Sequence, residues 1–382
     1  MSQFKFKYIS YTDILESAKW KHMIDAIEQS IDENLLVNWL PWCGKSTIAT
    51  HRLDKLKNKN GLLLTFWNLL TSYLSQSLKD NLSKTKVQAF WKWFYAMRRK
   101  VWLDHIDIKN INWDVIKDTF EKIAENQWKY DFLFIDEWQD LPKELYPLLN
   151  IISNHLSVFA DDAQQLYWNW KNANLNDIIN WIDPIQFELN INRRNPKQMY
   201  EFAYQFNPTH AEKWNLKLMT NKSDSVEVYN CNTKENELNK IIELLEEYEW
   251  KNIAILFSNQ DAIDEYKIEL EKHDIKFTIY HSNNNKLDNF NSPLLTTFHS
   301  VKWLEFPIVI IPWLYPEHKW KFITNNHFFV AITRASEKLI ITHHNWGSEI
   351  EDKIKNIDSN LYEEYKIWKI VEKEMSLDEI PF

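Results

Sequence analysis

Glycine is nearly missing: 3 residues in 382, where a globular chain carries about 7%. A mixed fold with so little glycine lacks its usual left-handed turn and helix-end positions. Tryptophan is in excess at 20 residues, and the two types together approach the ordinary share of glycine alone, about 7%. We therefore read many of the tryptophans as standing where the native polypeptide carries glycine. Cysteine is also scarce. Cys43 and Cys231 are far apart, which excludes a disulfide framework and a cysteine-based zinc site. No apolar run approaches the roughly 18 residues of a membrane span. Met1–Ser10 lacks the apolar core of a signal peptide. A reducing, cytoplasmic setting without a membrane partner is expected. The net charge of −9 excludes a histone-like binder that works by charge alone, but not one with its basic residues gathered in a groove.

What is present is a series of short apolar runs. Leu35–Val37, Leu62–Thr65, Phe132–Ile135 and Leu156–Phe159 read as buried parallel strands. Helical stretches such as Leu69–Leu78 and Leu141–Ser153 separate them. A second series begins near Gln186, with Val226–Tyr229, Ile253–Phe257, Phe277–Tyr280, Leu294–Thr297, Ile308–Ile311 and Leu339–Thr342. This alternation predicts an α/β protein with two domains of parallel sheet flanked by helices. The expected division is 1–187, with a small insert at about 75–128, then 188–353, then a charged helix and tail over 354–382. The Asn-rich Ser282–Asn291 reads as a loop, and His343 and His344 as surface residues.

Two motifs carry chemistry. Trp39-Leu40-Pro41-Trp42-Cys43-Gly44-Lys45-Ser46-Thr47 follows the first strand. With glycine at 39 it is the phosphate-loop pattern G-x-x-x-x-G-K-[ST], which wraps backbone N–H groups around phosphates at a helix N-terminus. Lys45 would neutralise the β- and γ-phosphates of ATP, and Ser46 would hold Mg²⁺. Phe132–Asp140 places Asp136 and Glu137 at the carboxyl end of a strand, the edge where open α/β sheets bind ligands. Asp136 would join Ser46 on Mg²⁺, and Glu137 would polarise the attacking water. An acidic pair after a strand is more often a solvated strand end; the phosphate loop upstream favours the functional reading.

Asp136-Glu-x-Gln-Asp140 resembles motif II of the UvrD/Rep branch of superfamily 1 DNA helicases, and further motifs follow in that family's order. Ala160–Tyr167 resembles motif III, Leu189–Asn195 motif IV, Thr296–Phe306 motif V and Val330–Ala335 motif VI. Thr65–Leu70 resembles motif Ia and Ala89-Phe90 motif Ib more weakly. The resemblance implies two RecA-like domains and an ATP-dependent, 3′→5′ translocase on single-stranded DNA and duplex junctions. It implies that Gln164 senses the γ-phosphate and that Arg194 and Arg334 act as arginine fingers from the second domain. Glu305 would contact the ribose, with Trp303 at the motif V glycine beside the nucleotide. Thr65, Phe66, Asn68, Phe90, Tyr167, Thr297 and His299 become DNA contacts, the aromatic ones by stacking. Core packing is the competing reading for each aromatic.

The chain departs from the family in several places. No adenine-reading glutamine is evident upstream of the loop, since Gln29 sits too close. Arg193 stands where the family stacks a tyrosine on adenine; a guanidinium can stack as well. The stretch from Arg194 to Thr296 is too short for a large accessory domain, which implies a stripped motor of reduced processivity. Trp39, Trp168, Trp303 and Trp313 occupy family glycine positions. Decay would be haphazard, yet Lys45, Asp136, Glu137, Gln164, Arg194 and Arg334 survive together. A codon written as Trp that the source organism reads as Gly accounts for both facts. Trp93, beside Phe94 and Tyr95, is compatible with a genuine tryptophan.

The last residues, Asp378-Glu-Ile-Pro-Phe382, resemble the acidic tip of bacterial single-stranded DNA-binding proteins, which implies docking on a replication or repair partner; a frayed tail is the alternative. Two other functions stay open. One is a nucleic-acid clamp without catalysis, if tryptophan truly stands at 39 and 303. The other is a DNA-stimulated ATPase that switches a partner without unwinding. RNA as the polymer also stays open.

Overall fold

Phe132–Ile135 offers no polar side chain to water, and each of its residues is buried in the strand Phe132–Asp136. The same logic forms the neighbouring strands. The computed structural model describes residues 10–16, 23–39, 44–65, 71, 84–106, 113–126, 129–137, 143–160, 174–189, 191–192, 195–206, 217–218, 226–281, 292–302, 304–313, 325–344 and 349–367. The chain divides into two units, one of Met1–Arg194, Asn207–Thr220 and His281–Asn289, the other of Asn195–Phe206, Asn221–Tyr280 and Phe290–Phe382.

The first unit holds a six-stranded sheet of β1 (Leu35–Trp39), β2 (Gly61–Thr65), β3 (Lys86–Ala89), β4 (Phe132–Asp136), β5 (Leu156–Ala160) and β6 (Ile185–Leu189). Their order is β3-β2-β4-β5-β1-β6, and every pairing is parallel. A short pair, β7 (Ile191–Asn192) and β8 (Lys217–Leu218), is also parallel. The second unit is built on β9 (Val226–Cys231), β10 (Ile253–Phe257), β11 (Thr278–Ile279), β12 (Leu294–Thr297), β13 (Phe306–Trp313), β14 (Ala335–His344) and β15 (Glu363–Ile367). Its order is β11-β12-β10-β13-β14-β9-β15, again parallel throughout. Two parallel sheets flanked by helices are what the apolar runs predicted. Parallel strands need helical crossovers, and these cover the faces.

Helix boundaries follow local chemistry. Asn174 and Asp177 form a reciprocal capping box on Leu175–Ile182. Thr233 and Asn259 cap Lys234–Glu247 and Gln260–Lys272 through their side-chain oxygens. Helix Phe90–Lys100 ends differently. Leu103 N–H donates to Arg98 O at 2.9 Å and Trp102 N–H to Arg99 O at 3.3 Å, the paired bonds of a Schellman ending. Its left-handed residue is Trp102, with φ 60° and 94% exposure. Glycine is the residue that this position favours. Trp93 is the opposite case: it is buried, packs at a tilt against Phe120 with ring centroids 5.7 Å apart, and donates its indole N–H to Tyr130 Oη at 3.1 Å.

Several expectations need correction. The boundary at 187 falls inside β6, which pairs along its whole length with β1. The insert at about 75–128 is, in its described part, integral. β3 is hydrogen-bonded to β2, and Phe90, Trp93, Phe94, Ile116 and Phe120 share one apolar cluster with Leu62, Leu133 and Val158. The charged stretch 354–382 is not helix and tail throughout: a helix spans Glu349–Lys355, and Glu363–Ile367 is an edge strand beside β9. Charged side chains are at home on an edge, and Tyr365 stacks on Tyr229 at 4.9 Å. His343 and His344 lie within β14 rather than after it. His343 is buried, and His344 Nδ1 lies 2.7 Å from Oε2 of the buried Glu237. The expected helix Leu69–Leu78 lies outside the described residues apart from Thr71, as does the Asn-rich loop 282–291.

Candidate nucleotide site

β1 delivers the chain to Gly44, the N-cap of helix Lys45–Lys55. Gly44 has φ 102°, and a Cβ there would lie 2.6 Å from Met23 Cε. The left-handed φ favours glycine, while the Met23 thioether end could move aside from a Cβ. β4 ends at Asp136, and β5 separates β4 from β1, so both motifs emerge at the carboxyl edge of one sheet.

Four side chains meet there. Ser46 Oγ lies 3.5 Å from Asp136 Oδ2. The Glu137 N–H donates to Asp136 Oδ1 at 3.0 Å. Lys45 Nζ stands 3.1 Å from Glu137 Oε1, with side chains 9% and 1% exposed. Glu137 is left-handed at φ 59°, a conformation that costs a non-glycine residue about 1–3 kcal/mol and persists only where the surroundings fix it. Burial, then the Glu137 charge, pushes the Asp136 carboxyl up to about 7 against the opposing pull of Lys45 and its hydrogen bonds. A cation against this carboxylate would relieve that cost. The hard oxygens of Ser46 and Asp136 suit Mg²⁺, which commonly takes one or two protein oxygens and completes its shell with phosphate and water. Thr47 follows on the same helix, half-buried.

The structure places the other expected residues less uniformly. Leu40, Pro41, Trp42, Cys43, Phe66, Asn68, Gln164, Tyr167, Arg193, Arg194 and Trp303 lie outside the described residues, and Trp39 is described only as the last residue of β1. Thr65 is buried at the end of β2, its hydroxyl 2.6 Å from that of Thr71. Phe90 is buried in the core and stacked on Phe94 at 6.0 Å. These two expected DNA contacts are therefore inside the unit. Aromatic and threonine positions beside a strand end serve packing as readily as binding, and the sequence alone does not separate the two.

In the second unit Glu305 is half-buried just before β13. Thr297 closes β12, and its Oγ1 lies 3.1 Å from Ser300 Oγ. His299 follows at the same edge. Its Nε2 lies 2.9 Å from Nε2 of His327, a residue that sequence reasoning did not single out. Burial and the Lys302 charge hold His299 below the usual histidine range. Burial, then His299 and Lys302, depress His327 to about 3. Arg334 is fully buried. Its guanidinium donates to Val330 O at 2.8 Å, to Lys302 O, and to Thr333 Oγ1 at 3.3 Å. These acceptors all belong to its own unit.

Residues 7–186 match the UvrD/REP helicase N-terminal domain family. A probable DNA helicase II homolog of Mycoplasma capricolum subsp. capricolum is 30% identical over 193 residues, covering 46% of this chain and 26% of that protein. The ATP-dependent DNA helicase PcrA of Leuconostoc citreum is 25% identical over 186 residues, covering 46% and 25%. The chain thus aligns with about a quarter of the length of these relatives. An arterivirus nonstructural protein 10 helicase structure overlaps 87% of this chain and 63% of its own at 13% identity and a TM-score of 0.42. Among the described residues no helix is long and apolar enough to cross a membrane. Residues 7–186, which carry the phosphate-loop sequence and the Asp136-Glu137 pair, are thus similar to the N-terminal domains of UvrD/REP helicases.

Proposed function

We propose that this chain is an ATP-dependent motor that translocates 3′→5′ on single-stranded DNA and opens duplex junctions. The observation that carries the proposal is the meeting of Lys45, Ser46, Asp136 and Glu137 at one sheet edge. Relatives named as DNA helicases favour DNA as the polymer.

In this reading the backbone from position 39 to Thr47 cradles the phosphates, with glycine at 39. Lys45 exchanges Glu137 for the β- and γ-phosphates, which frees Glu137 to take a proton from the attacking water. Mg²⁺, held by Ser46 and Asp136, would supply positive charge to the phosphate oxygens. Gln164 reports the γ-phosphate, Arg193 stacks on the base and Glu305 binds the ribose beside position 303. Arg194 and Arg334 meet the charge that spreads over the transferred phosphoryl group. Phe66, Asn68, Tyr167, Thr297 and His299 hold the strand. The Asp378–Phe382 tip docks a replication or repair protein, and deleting Ile380–Phe382 should abolish that capture.

The test is ATP hydrolysis with and without single-stranded DNA, followed by strand displacement from 3′- and 5′-tailed duplexes. Stimulated hydrolysis, lost in Lys45→Ala, with displacement from the 3′-tailed substrate alone, is the expected result. Hydrolysis without displacement leaves the ATPase switch. DNA binding without hydrolysis leaves the clamp.

A further inference from the structure

Arg52 lies in the helix that begins at the phosphate loop, Lys45–Lys55, and is buried. Its Nη1 donates to Ala26 O and to Gln29 O, both at 2.8 Å, and its Nη2 to Ser30 O at 3.5 Å. These carbonyls belong to the end of the helix Ile24–Glu28 and the turn after it. The guanidinium carbon lies 5.7 Å from the ring centroid of Phe134, two residues before Asp136 on the same strand. At the other end of the short helix Met23 is fully buried, with its thioether over Gly44. A Cβ on Gly44 would meet Met23 Cε at 2.6 Å and Sδ at 3.0 Å.

We propose that Arg52 is a positioning residue for nucleotide binding: it pins the segment 23–30 so that Met23 closes over Gly44 and holds the start of the Lys45 helix ready for phosphates. The inference rests on the reading of Gly44, Lys45 and Ser46 as the phosphate site.

The last carbonyls of a helix have no donor within it, and the helix dipole favours a cation beside them. A guanidinium brings several donors in one rigid fork, and here two of its nitrogens hold three carbonyls. Burial pulls Arg52 down to about 10 against the opposing pull of Glu28, so it keeps its charge at neutral pH. Lys55 adds an ion pair to Glu28. The Met23 side chain is flexible, so its place is set by the backbone that carries it. Helix Ile24–Glu28 is short, about 1.5 Å per residue, and a shift at its far end reaches Met23. Gly44 is left-handed at φ 102°, and a glycine samples many conformations. A packed thioether above it narrows that choice before phosphate arrives. Such preorganisation lowers the cost of binding. It acts on bound substrate and transition state alike, so it belongs to KM rather than to kcat.

The experiment is steady-state ATP hydrolysis by the full chain on single-stranded DNA, beside equilibrium binding of a fluorescent ATP analogue. The variants are Arg52→Met, Arg52→Lys, Met23→Ala and the double variant Arg52→Met/Met23→Ala. KM and the analogue's Kd should rise about tenfold in Arg52→Met, with kcat changed less than about threefold. Arg52→Lys keeps a cation without the fork and should fall between that variant and wild type. Met23→Ala should match Arg52→Met, and the double variant should bind no more weakly than either single one. A merely structural role lowers the active fraction, and with it kcat, and leaves KM in place. That pattern, a wild-type KM in folded Arg52→Met or Met23→Ala, or additive losses in the double variant, overturns the proposal. Should Arg52→Met fail to fold, Arg52→Lys and Met23→Ala decide. Unchanged analogue binding in Lys45→Ala instead overturns the reading of the phosphate site on which the proposal stands, and the two failures are thereby told apart.

Discussion

Lys45 Nζ lies 3.1 Å from Glu137 Oε1, so two opposite charges face each other across a buried contact. Nucleotide phosphates would compete for the lysine and release the base. Glu137→Gln should lower the hydrolysis rate about 10²–10⁴-fold, the usual worth of a general base, while ATP binding is kept. Equilibrium binding beside steady-state hydrolysis checks it; a rate within twofold of wild type would remove Glu137 from the mechanism.

Trp102 is strained in the left-handed region and contributes little burial. Replacing it with glycine should raise stability by about 1–2 kcal/mol, the left-handed cost of a side chain. Denaturant midpoints of the two proteins measure this. A lower midpoint for Trp102→Gly would contradict the reading of glycine at this position. Intact mass of the natively expressed protein tests the same reading at all 20 tryptophans.

His327 stays neutral in the fold far below the pH at which an unfolded histidine takes up its proton. Between about pH 6.5 and about pH 3 the unfolded chain binds the extra proton, so stability from this group is lost as pH falls through that window. His327→Gln should flatten this acid limb relative to wild type, as read by urea midpoints across the range. Equal slopes would show that the pair with His299 carries no such linkage.

The same pair predicts a binding effect. An Nε2···Nε2 bond requires one protonated and one bare nitrogen, so His327 sets the tautomer of His299. His327→Leu should weaken single-stranded DNA binding, with hydrolysis in the absence of DNA unchanged. Fluorescence anisotropy on a labelled oligonucleotide measures it, and unaltered affinity would count against His299 as a DNA contact.

Phe90 makes the converse prediction. Phe90→Ala should cost about 3–5 kcal/mol, as for other buried aromatic truncations. The milder Phe90→Leu should leave DNA affinity unchanged, since the ring is buried in the core. A clear loss of affinity in a stable Phe90→Leu protein would restore Phe90 to the DNA path.

The sequence by itself determined the α/β class, the strand runs and the two motifs that meet at one sheet edge. These signals are local: apolar runs make buried strands, and Gly44-Lys45-Ser46 and Asp136-Glu137 announce themselves by type and order. The glycine deficit was likewise legible from composition, and Trp102 adds a backbone reason for it. Tertiary structure decided what no local pattern holds. It put Phe90 and Thr65 inside, because burial depends on what packs above a strand end. It made Glu363–Ile367 a strand, because an edge accepts charged residues that composition assigns to a tail. It drew His327 to His299 and Asn195 to the carbonyls beside Arg334. Such partners are distant in the chain, and a hydrogen bond between them exists only once the sheets and helices have brought donor and acceptor within reach.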